Sequence, residues 1–164
     1  MVEVEIRLAD FAITVAVDAE RAPISSRYFL QDVDTGLLDG SSLFRIVTSS
    51  IEVVQMGLCE RDPGIAPTIE HETTRKTGLR HLQGTVSLAR FAPGAVYHSF
   101  FVCMRDEPAL DQGGARHPDG LGFAAFGRVV AGLQDLQRLF AAYERFGGKE
   151  YLQTPIELRS VRRV

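Results

Sequence analysis

Alternating apolar and polar residues at the start of the chain predict two β-strands. Apolar side chains occupy every second position from Val2 to Leu8 and, after a short turn at Ala9 and Asp10, again from Phe11 to Val17. Successive side chains of a strand point to opposite faces, so a period of two marks a strand with one buried face. The two segments therefore predict an antiparallel hairpin.

Two later segments have the period of an amphipathic helix. Pro23 suits a first helical turn, and apolar residues recur at helical spacing from Phe29 to Leu37. A second pattern of this kind runs from Leu133 to Tyr143 and stops before Gly147 and Gly148, which favour a helix end. We predict one helix in each segment.

The rest of the chain supplies further strand candidates. The segment 43–57 is interpreted as two strands joined by a polar turn, and short apolar runs predict strands at 85–88, 100–103 and 126–130. A last strand is expected to start near Ile156. Five or more strands joined by short turns, with only two helices, predict a closed antiparallel sheet capped by helices, because closure removes exposed strand edges.

One long segment has no apolar period. From Cys59 to Gln83 the chain is polar and contains breakers such as Pro63 and Pro67, so we predict a long excursion on the surface. The length of 164 residues is enough for a real core and favours one domain over the whole chain, residues 1–164.

The strand around Arg45 carries the first indication of function. By strand parity, Leu43, Arg45 and Val47 are expected to point to one face. The same parity groups Ile51, Val53 and Gln55 on the next strand. A guanidinium stays charged and carries a rigid fork of donors, so a sheet accommodates it inward only with a partner or a task.

Composition and charge exclude several classes of protein. A hydrophobic fraction of 45% with 24% charged residues is typical of a globular protein. The net charge of -3, with both signs interspersed, gives no electrostatic footprint for nucleic acid. The amino-terminal alternation differs from the continuous apolar run of a signal peptide, and no apolar stretch reaches membrane-spanning length. We expect a soluble, cytoplasmic protein without nucleic-acid or membrane partners.

Motifs for cofactor, metal or nucleophile chemistry are weak. The glycine-rich segment 113–123 does not lie between a strand and a helix, as a nucleotide loop requires. The four histidines lack the spacing of a metal site, the two cysteines form no metal or disulfide pattern, and neither Ser87 nor Ser99 stands in a nucleophile elbow. We therefore expect no metal and no cofactor.

The motifs, taken in their order and spacing, resemble the cyclophilin family of peptidyl-prolyl cis-trans isomerases, and the chain looks like a divergent, bacterial-like member. The matching pieces are the amino-terminal hairpin and then APISSRYFL, LFRIV, EVVQMG, GTVSLA, FFVC, ALD and FAAFGRVVAGLQDLQRL. The resemblance covers nearly the whole chain. It implies a mainly β fold, a closed eight-stranded antiparallel β-barrel capped by two α-helices.

The resemblance also implies a set of site residues. The catalytic arginine of the family falls on Arg45, and the glutamine that orients it falls on Gln55. The implied substrate-binding residues are Val53, Ala89, Arg90, Ser99, Phe101, Leu110 and Phe123.

Several of these positions depart from the family pattern. Arg90 replaces the usual asparagine, Ser99 a common glutamine and Phe123 a frequent pocket histidine. The connection between the arginine and the glutamine is longer than usual, and Glu52 falls where a pocket aromatic is common.

The implied activity is isomerisation of X-Pro bonds in peptide or protein clients, with cyclic peptides as a class of inhibitor and a monomer as the expected state. Rotation needs only interactions that are stronger in the twisted state than in the planar ones. Arg45 is the candidate donor to the prolyl nitrogen. Two alternatives stay open: a proline-peptide binding module with weak or no turnover, and an interaction scaffold in which Arg45 and Phe101 play no part.

Overall fold

A computed structural model describes residues 1–59, 68–145 and 148–164 of the chain. Each segment with alternating apolar residues forms a strand, and both segments with helical spacing form helices. The strands are β1 (Val2–Arg7), β2 (Ala12–Val17), β3 (Ser42–Val47), β4 (Val53–Gly57), β5 (Thr85–Arg90), β6 (Val96–Cys103), β7 (Ala124–Ala131), β8 (Tyr151–Glu157) and β9 (Ser160–Arg163), and the helices are α1 (Pro23–Asp34), α2 (Thr74–Thr77) and α3 (Leu133–Arg145).

The strands form one antiparallel sheet in the order β8-β3-β4-β6-β5-β7-β2-β1-β9. The two edge strands are consecutive in the chain, since only Leu158 and Arg159 separate them. The amide of Leu158 donates to Ser41 at 2.8 Å, and the amide of Arg159 donates to Arg7 at 2.7 Å. The last segment of the chain therefore passes directly from one edge of the curled sheet to the other.

The mainly β class and the antiparallel topology are confirmed, but the details of the predicted barrel differ. The described residues contain nine strands rather than eight and three helices rather than two. The predicted last strand begins earlier, at Tyr151, and is divided in two because its halves pair with different neighbours. The second predicted helix ends at Arg145, and Gly147 lies outside the described residues. No helix within those residues is long and apolar enough to cross a membrane.

The side chains of the sheet divide into two apolar clusters. The large main core lies between the sheet and the helices and contains Phe29, Phe100 and Phe126 with Leu136 and other residues. A smaller second cluster lies on the opposite face of β4, β5 and β6. Neighbouring strand residues point opposite ways, so Phe100 enters the main core while Phe101 enters the second cluster. The second cluster consists of Val47, Ile51, Val53, Ala89, Tyr97, Phe101, Cys103 and Leu110.

A bulge in β3 overturns one prediction of side-chain direction. The register pairs Leu43 with Met56 and then Arg45 with Gln55, so Phe44 is an extra residue without a partner on β4. A bulged residue shifts the alternation of its strand. Leu43 consequently lies in the main core, whereas Arg45 lines the other face together with Val47. The prediction that Leu43 and Arg45 share a face is wrong.

The predicted surface excursion lies mostly at the surface over its described part, but it is more ordered than the sequence indicated. Residues 60–67 lie outside the described residues, but residues 68–83 include helix α2 and the buried polar side chains Glu72, Thr74, Thr77 and His81. The carboxylate of Glu72 accepts hydrogen bonds from the Ser25 amide at 2.6 Å and from the Ser25 hydroxyl at 2.7 Å. Helix α1 has no side-chain cap of its own at Ala22. Glu72 therefore caps α1 from a distant segment, which the helical period could not reveal.

We predict that Glu72→Ala destabilises the protein by about 1.5 to 3 kcal/mol, because it leaves the first turn of α1 without its charged acceptor. The free energy of unfolding in urea measures the effect. Glu70→Gln is the matched control, since Glu70 is exposed on the same segment and pairs only with Lys76 among the contacts described. Equal unfolding free energies for the wild type and Glu72→Ala would contradict the capping role.

Candidate functional site

A cavity of about 120 Å³ lies over the second cluster, between the strands β3 to β6 and the loop that precedes β7. It combines charged groups on one side with aromatic and aliphatic side chains on the other. Every site residue predicted from the sequence lines it except Ser99. The lining residues are Arg45, Val47, Ile51, Val53, Gln55, Ala89, Arg90, Tyr97, Phe101, Leu110, Arg116 and Phe123.

Arg45 is held by groups on three sides. Its Nε and Nη2 donate to the same carboxylate oxygen of Glu150, at 3.1 and 2.8 Å. Its Nη1 donates to the side-chain oxygen of Gln55 at 3.4 Å, and the guanidinium carbon lies 5.2 Å from the ring centre of Tyr151. The contact with Gln55 is longer than an ordinary N–H···O bond, so Glu150 is the closer partner.

Gln55 is itself fixed from behind. It is almost fully buried, and its amide nitrogen donates to the Tyr97 hydroxyl and to the Ser99 hydroxyl, each at 3.0 Å. The hydroxyl of Ser99 donates in turn to the backbone oxygen of Met56 at 3.2 Å. These bonds direct the side-chain oxygen of Gln55 toward Arg45. Ser99 thus stands behind the cavity wall and acts on the site through Gln55.

The apolar wall is built from Phe101, Leu110 and Phe123. Phe101 and Leu110 are buried, and the ring of Phe123 meets that of Phe101 edge to face, with 5.6 Å between ring centres. Phe101 also stacks on His81 with 6.0 Å between ring centres. Rings packed on both sides cannot turn freely, so this wall keeps its shape.

A buried Ser-His-Asp chain supports the wall. His81 Nδ1 lies 2.7 Å from Asp111, and His81 Nε2 lies 2.9 Å from the Ser87 hydroxyl. Although burial opposes it, the hydrogen bonds from the His81 side chain and amide hold the pKa of Asp111 below its usual value. Ser87 has no exposed surface. The arrangement resembles a hydrolase triad only in its order of contacts, because no substrate carbonyl could approach the serine.

Arg90 fixes the loop on the far side of the cavity. Its Nη1 and Nη2 donate to the two oxygens of Asp119 at 3.0 and 2.9 Å, and its Nε and Nη2 donate to the backbone oxygen of Gly122 at 2.8 and 2.7 Å. A fifth bond joins Nη1 to the backbone oxygen of Phe91 at 3.1 Å. The guanidinium carbon lies 5.0 Å from the ring centre of Phe123. Arg90 therefore shapes the cavity by holding Phe123 and its loop.

Sequence reasoning missed four lining residues, namely Val47, Ile51, Tyr97 and Arg116. Strand parity grouped Val47 with Arg45 and Ile51 with Gln55 without marking either as a site residue, and it could have found Tyr97, which lies four residues before Phe101. No such signal exists for Arg116, which reaches from the glycine-rich loop to the Ser50 hydroxyl at 3.1 Å. Glu52 pairs with Arg105 at 2.5 Å and does not line the cavity; its neighbour Ile51 supplies the apolar surface there.

The ion pair between Arg90 and Asp119, here called the Arg90 clamp, should contribute to stability in a pH-dependent way. The hydrogen bonds from Arg90 lower the pKa of Asp119 to about 2, against an ordinary value of about 3.9. Because the pKa is lower in the folded protein, the clamp contributes fully above about pH 4. We expect this contribution to be lost as the pH falls through about 2.

Carbon-detected NMR titration of the Asp119 carboxyl group checks this expectation. Arg90→Gln should return the pKa toward its ordinary value, whereas Arg138→Gln, on exposed α3, should leave it near 2. An unchanged Asp119 pKa in Arg90→Gln would show that another group causes the shift.

Comparisons with known proteins agree with the fold and cover the site. A family model described as cyclophilin type peptidyl-prolyl cis-trans isomerase/CLD matches residues 1–162. Peptidyl-prolyl cis-trans isomerase A of Dickeya dadantii is 31% identical over 126 residues, which are 74% of this chain and 62% of that protein. Peptidyl-prolyl cis-trans isomerase cyp18 of Streptomyces antibioticus is 26% identical over 165 residues, covering 96% of this chain and 93% of that protein. The matched part thus spans less than two thirds of the Dickeya protein.

Solved structures with low sequence identity share the fold. A cyclophilin-type isomerase of Cryptosporidium parvum, crystallised in the presence of the dipeptide Ala-Pro, superposes with a TM-score of 0.77 at 15% identity. The superposition covers 99% of this chain and 98% of that one. Cyclophilin AquaCyp293 of Hirschia baltica gives a TM-score of 0.70 at 17% identity, covering 97% of this chain and 72% of that one.

Proposed function

The chain belongs to the cyclophilin-type peptidyl-prolyl cis-trans isomerase family, and from that premise we propose that it accelerates rotation about X-Pro bonds at the cavity around Arg45. The observation that carries the proposal is that a partly exposed guanidinium lines the same small cavity as Phe101, Leu110 and Phe123. A proline ring needs an apolar wall, and the peptide bond next to it needs a directed donor.

The chemistry requires only that the site bind the twisted peptide better than either planar form. The barrier of about 18 to 20 kcal/mol comes from resonance between the carbonyl and the nitrogen. As the bond twists, the prolyl nitrogen regains its lone pair, and a donor from Arg45 stabilises that lone pair against return to resonance. Such catalysis involves no covalent intermediate and no proton transfer.

The apolar wall supplies the second requirement. Phe101, Leu110 and Val53 would hold the proline ring still while the preceding carbonyl turns. Ala89 and Arg90 lie at the end of β5, where their backbone would contact the client chain, and Phe123 makes the wall more apolar than a histidine would. Gln55 would keep Nη1 of Arg45 aimed at the cavity, supported by Ser99.

The proposal also covers the substrates, the inhibitors, the oligomeric state and the location of the protein. The crystal structure from Cryptosporidium parvum was determined in the presence of Ala-Pro, which supports proline-containing peptides and protein segments as clients here. We propose that cyclic peptide inhibitors compete for the same cavity, and that residues 1–164 act as a single, monomeric domain in the cytoplasm.

A second candidate function is a proline-peptide binding module with little turnover. The observation that favours it is the carboxylate of Glu150, which accepts from both Nε and Nη2 of Arg45. A carboxylate partner offsets the positive charge that stabilises the twisted state, without preventing a proline from entering the apolar part of the cavity.

We predict that Arg45→Ala lowers kcat/KM for an X-Pro peptide by about 100- to 1,000-fold, the usual cost of removing one directed donor. Arg45→Lys should restore only part of the loss, because an ammonium lacks the planar fork. A protease-coupled peptide assay measures both. Arg138→Ala is the control, since Arg138 is exposed on α3 and pairs with Asp135. Equal rates for wild type and Arg45→Ala would reject the mechanism.

Exchange NMR separates the isomerase from the binding module. With an X-Pro peptide in excess, an isomerase produces exchange cross-peaks between cis and trans resonances at catalytic amounts of protein, because rotation becomes fast on the mixing time. We expect these cross-peaks with the wild type and their loss with Arg45→Ala. Shift changes on binding without cross-peaks would favour the module instead.

A further inference from the structure

We propose that Glu150 is a positioning residue for Arg45, and that this carboxylate, more than Gln55, sets the direction of the guanidinium. The inference rests on the proposed isomerase function, since it assigns a residue that aims the catalytic donor. It concerns a residue that none of the sequence motifs singles out.

The lengths of the hydrogen bonds from Arg45 to Glu150 and to Gln55 are the first observation that supports this role. Glu150 accepts from Nε at 3.1 Å and from Nη2 at 2.8 Å, so two donors of the planar fork converge on one oxygen. Gln55 accepts from Nη1 at 3.4 Å. The guanidinium makes both contacts charge-assisted, but only Glu150 carries an opposite charge, and 3.4 Å exceeds the ordinary N–H···O range. Two bonds to one oxygen fix the plane of the guanidinium, which a single long bond cannot do.

The backbone fixes Glu150 in its place. The amide of Ile46 donates to the backbone oxygen of Glu150 at 2.8 Å, and Arg45 pairs with Tyr151, the first residue of β8. The ring of Tyr151 lies 5.2 Å from the guanidinium carbon and stacks on Phe44, the bulged residue. Two adjacent residues therefore hold the guanidinium of Arg45. The carboxylate of Glu150 contacts its edge, and the ring of Tyr151 lies over its face.

The geometry favours positioning over inhibition. The Nε and Nη2 edge turns toward Glu150, while Nη1 turns toward Gln55, whose side-chain oxygen lies at the cavity wall. A carboxylate that blocked the site would contact the edge of the fork that faces the cavity. Here the carboxylate contacts the Nε and Nη2 edge, Nη1 is directed to the cavity-lining Gln55, and Glu150 is not among the residues that line the cavity.

The strength of the effect follows from exposure. The side chain of Arg45 is 22% exposed and that of Glu150 is 46% exposed. Exposed ion pairs contribute about 0.2 to 1 kcal/mol and are weakened by salt. Removing the carboxylate should therefore lower kcat by a factor of a few, and the size of this decrease should depend on ionic strength.

The experiment compares wild type, Glu150→Ala and Glu150→Gln by exchange NMR and by the coupled assay. We expect Glu150→Ala to lower kcat by about 2- to 5-fold with KM nearly unchanged. Glu150→Gln should fall between, because its amide oxygen accepts without charge. Raising NaCl should lower kcat of the wild type toward that of Glu150→Ala and leave the variant unaffected. Glu157→Ala is the matched control, an exposed glutamate at the end of β8, the strand that Glu150 directly precedes.

A second measurement reports on orientation without turnover. The Nε–H resonance of Arg45 in the wild type should be shifted downfield and slow to exchange with water, and Glu150→Ala should remove both features. If wild type is active and Glu150→Ala matches or exceeds its kcat, the inference is overturned while the isomerase function stands. If wild type shows no turnover at all, the proposed function fails, and the Nε–H resonance still shows whether Glu150 holds Arg45.

Discussion

The extra residue at Phe44 determines where the charge of Arg45 can lie. Without it, strict alternation would place Leu43 and Arg45 on the same face, so either a leucine would leave the main core or a guanidinium would enter it. The bulge lets Leu43 stay buried opposite Met56 while Arg45 faces Gln55. A buried guanidinium without partners would cost several kcal/mol. The contacts of Arg45 with Gln55 and Glu150 depend on this local change of direction.

Polar contacts between distant segments keep the site in shape. Gln55 is held by Tyr97 and Ser99 on β6, and Arg90 holds the loop that carries Asp119 and precedes β7. Each contact joins a strand to a side chain or a loop. The sheet determines the position of the strand, and the contact restricts the conformations of the side chain or loop. The side chains that line the cavity are therefore held in place from more than one strand.

The class of fold could be predicted from the period of two in the strands, whereas most of the lining was predicted from the resemblance to a family. The same period produced the error at Leu43, since a bulge leaves no mark in the pattern of apolar residues. Glu72 and Glu150 could not be predicted for a different reason. Each is a lone carboxylate in a polar segment, and its partner, Ser25 or Arg45, is 47 or 105 residues away. Only the folded chain brings such pairs together.

Two of the three arginines that line the cavity, Arg90 and Arg45, differ in how deeply their side chains are buried. Arg90 makes five hydrogen bonds to Asp119, Gly122 and Phe91, which use all five of its N–H donors. Its side chain is 1% exposed, whereas that of Arg45 is 22% exposed. A peptide can therefore gain little from the Arg90 side chain except the shape of the wall. Arg45 lines the cavity and is reached by solvent, and its carboxylate partner Glu150 is itself exposed, so the strength of their pairing depends on what surrounds the pair.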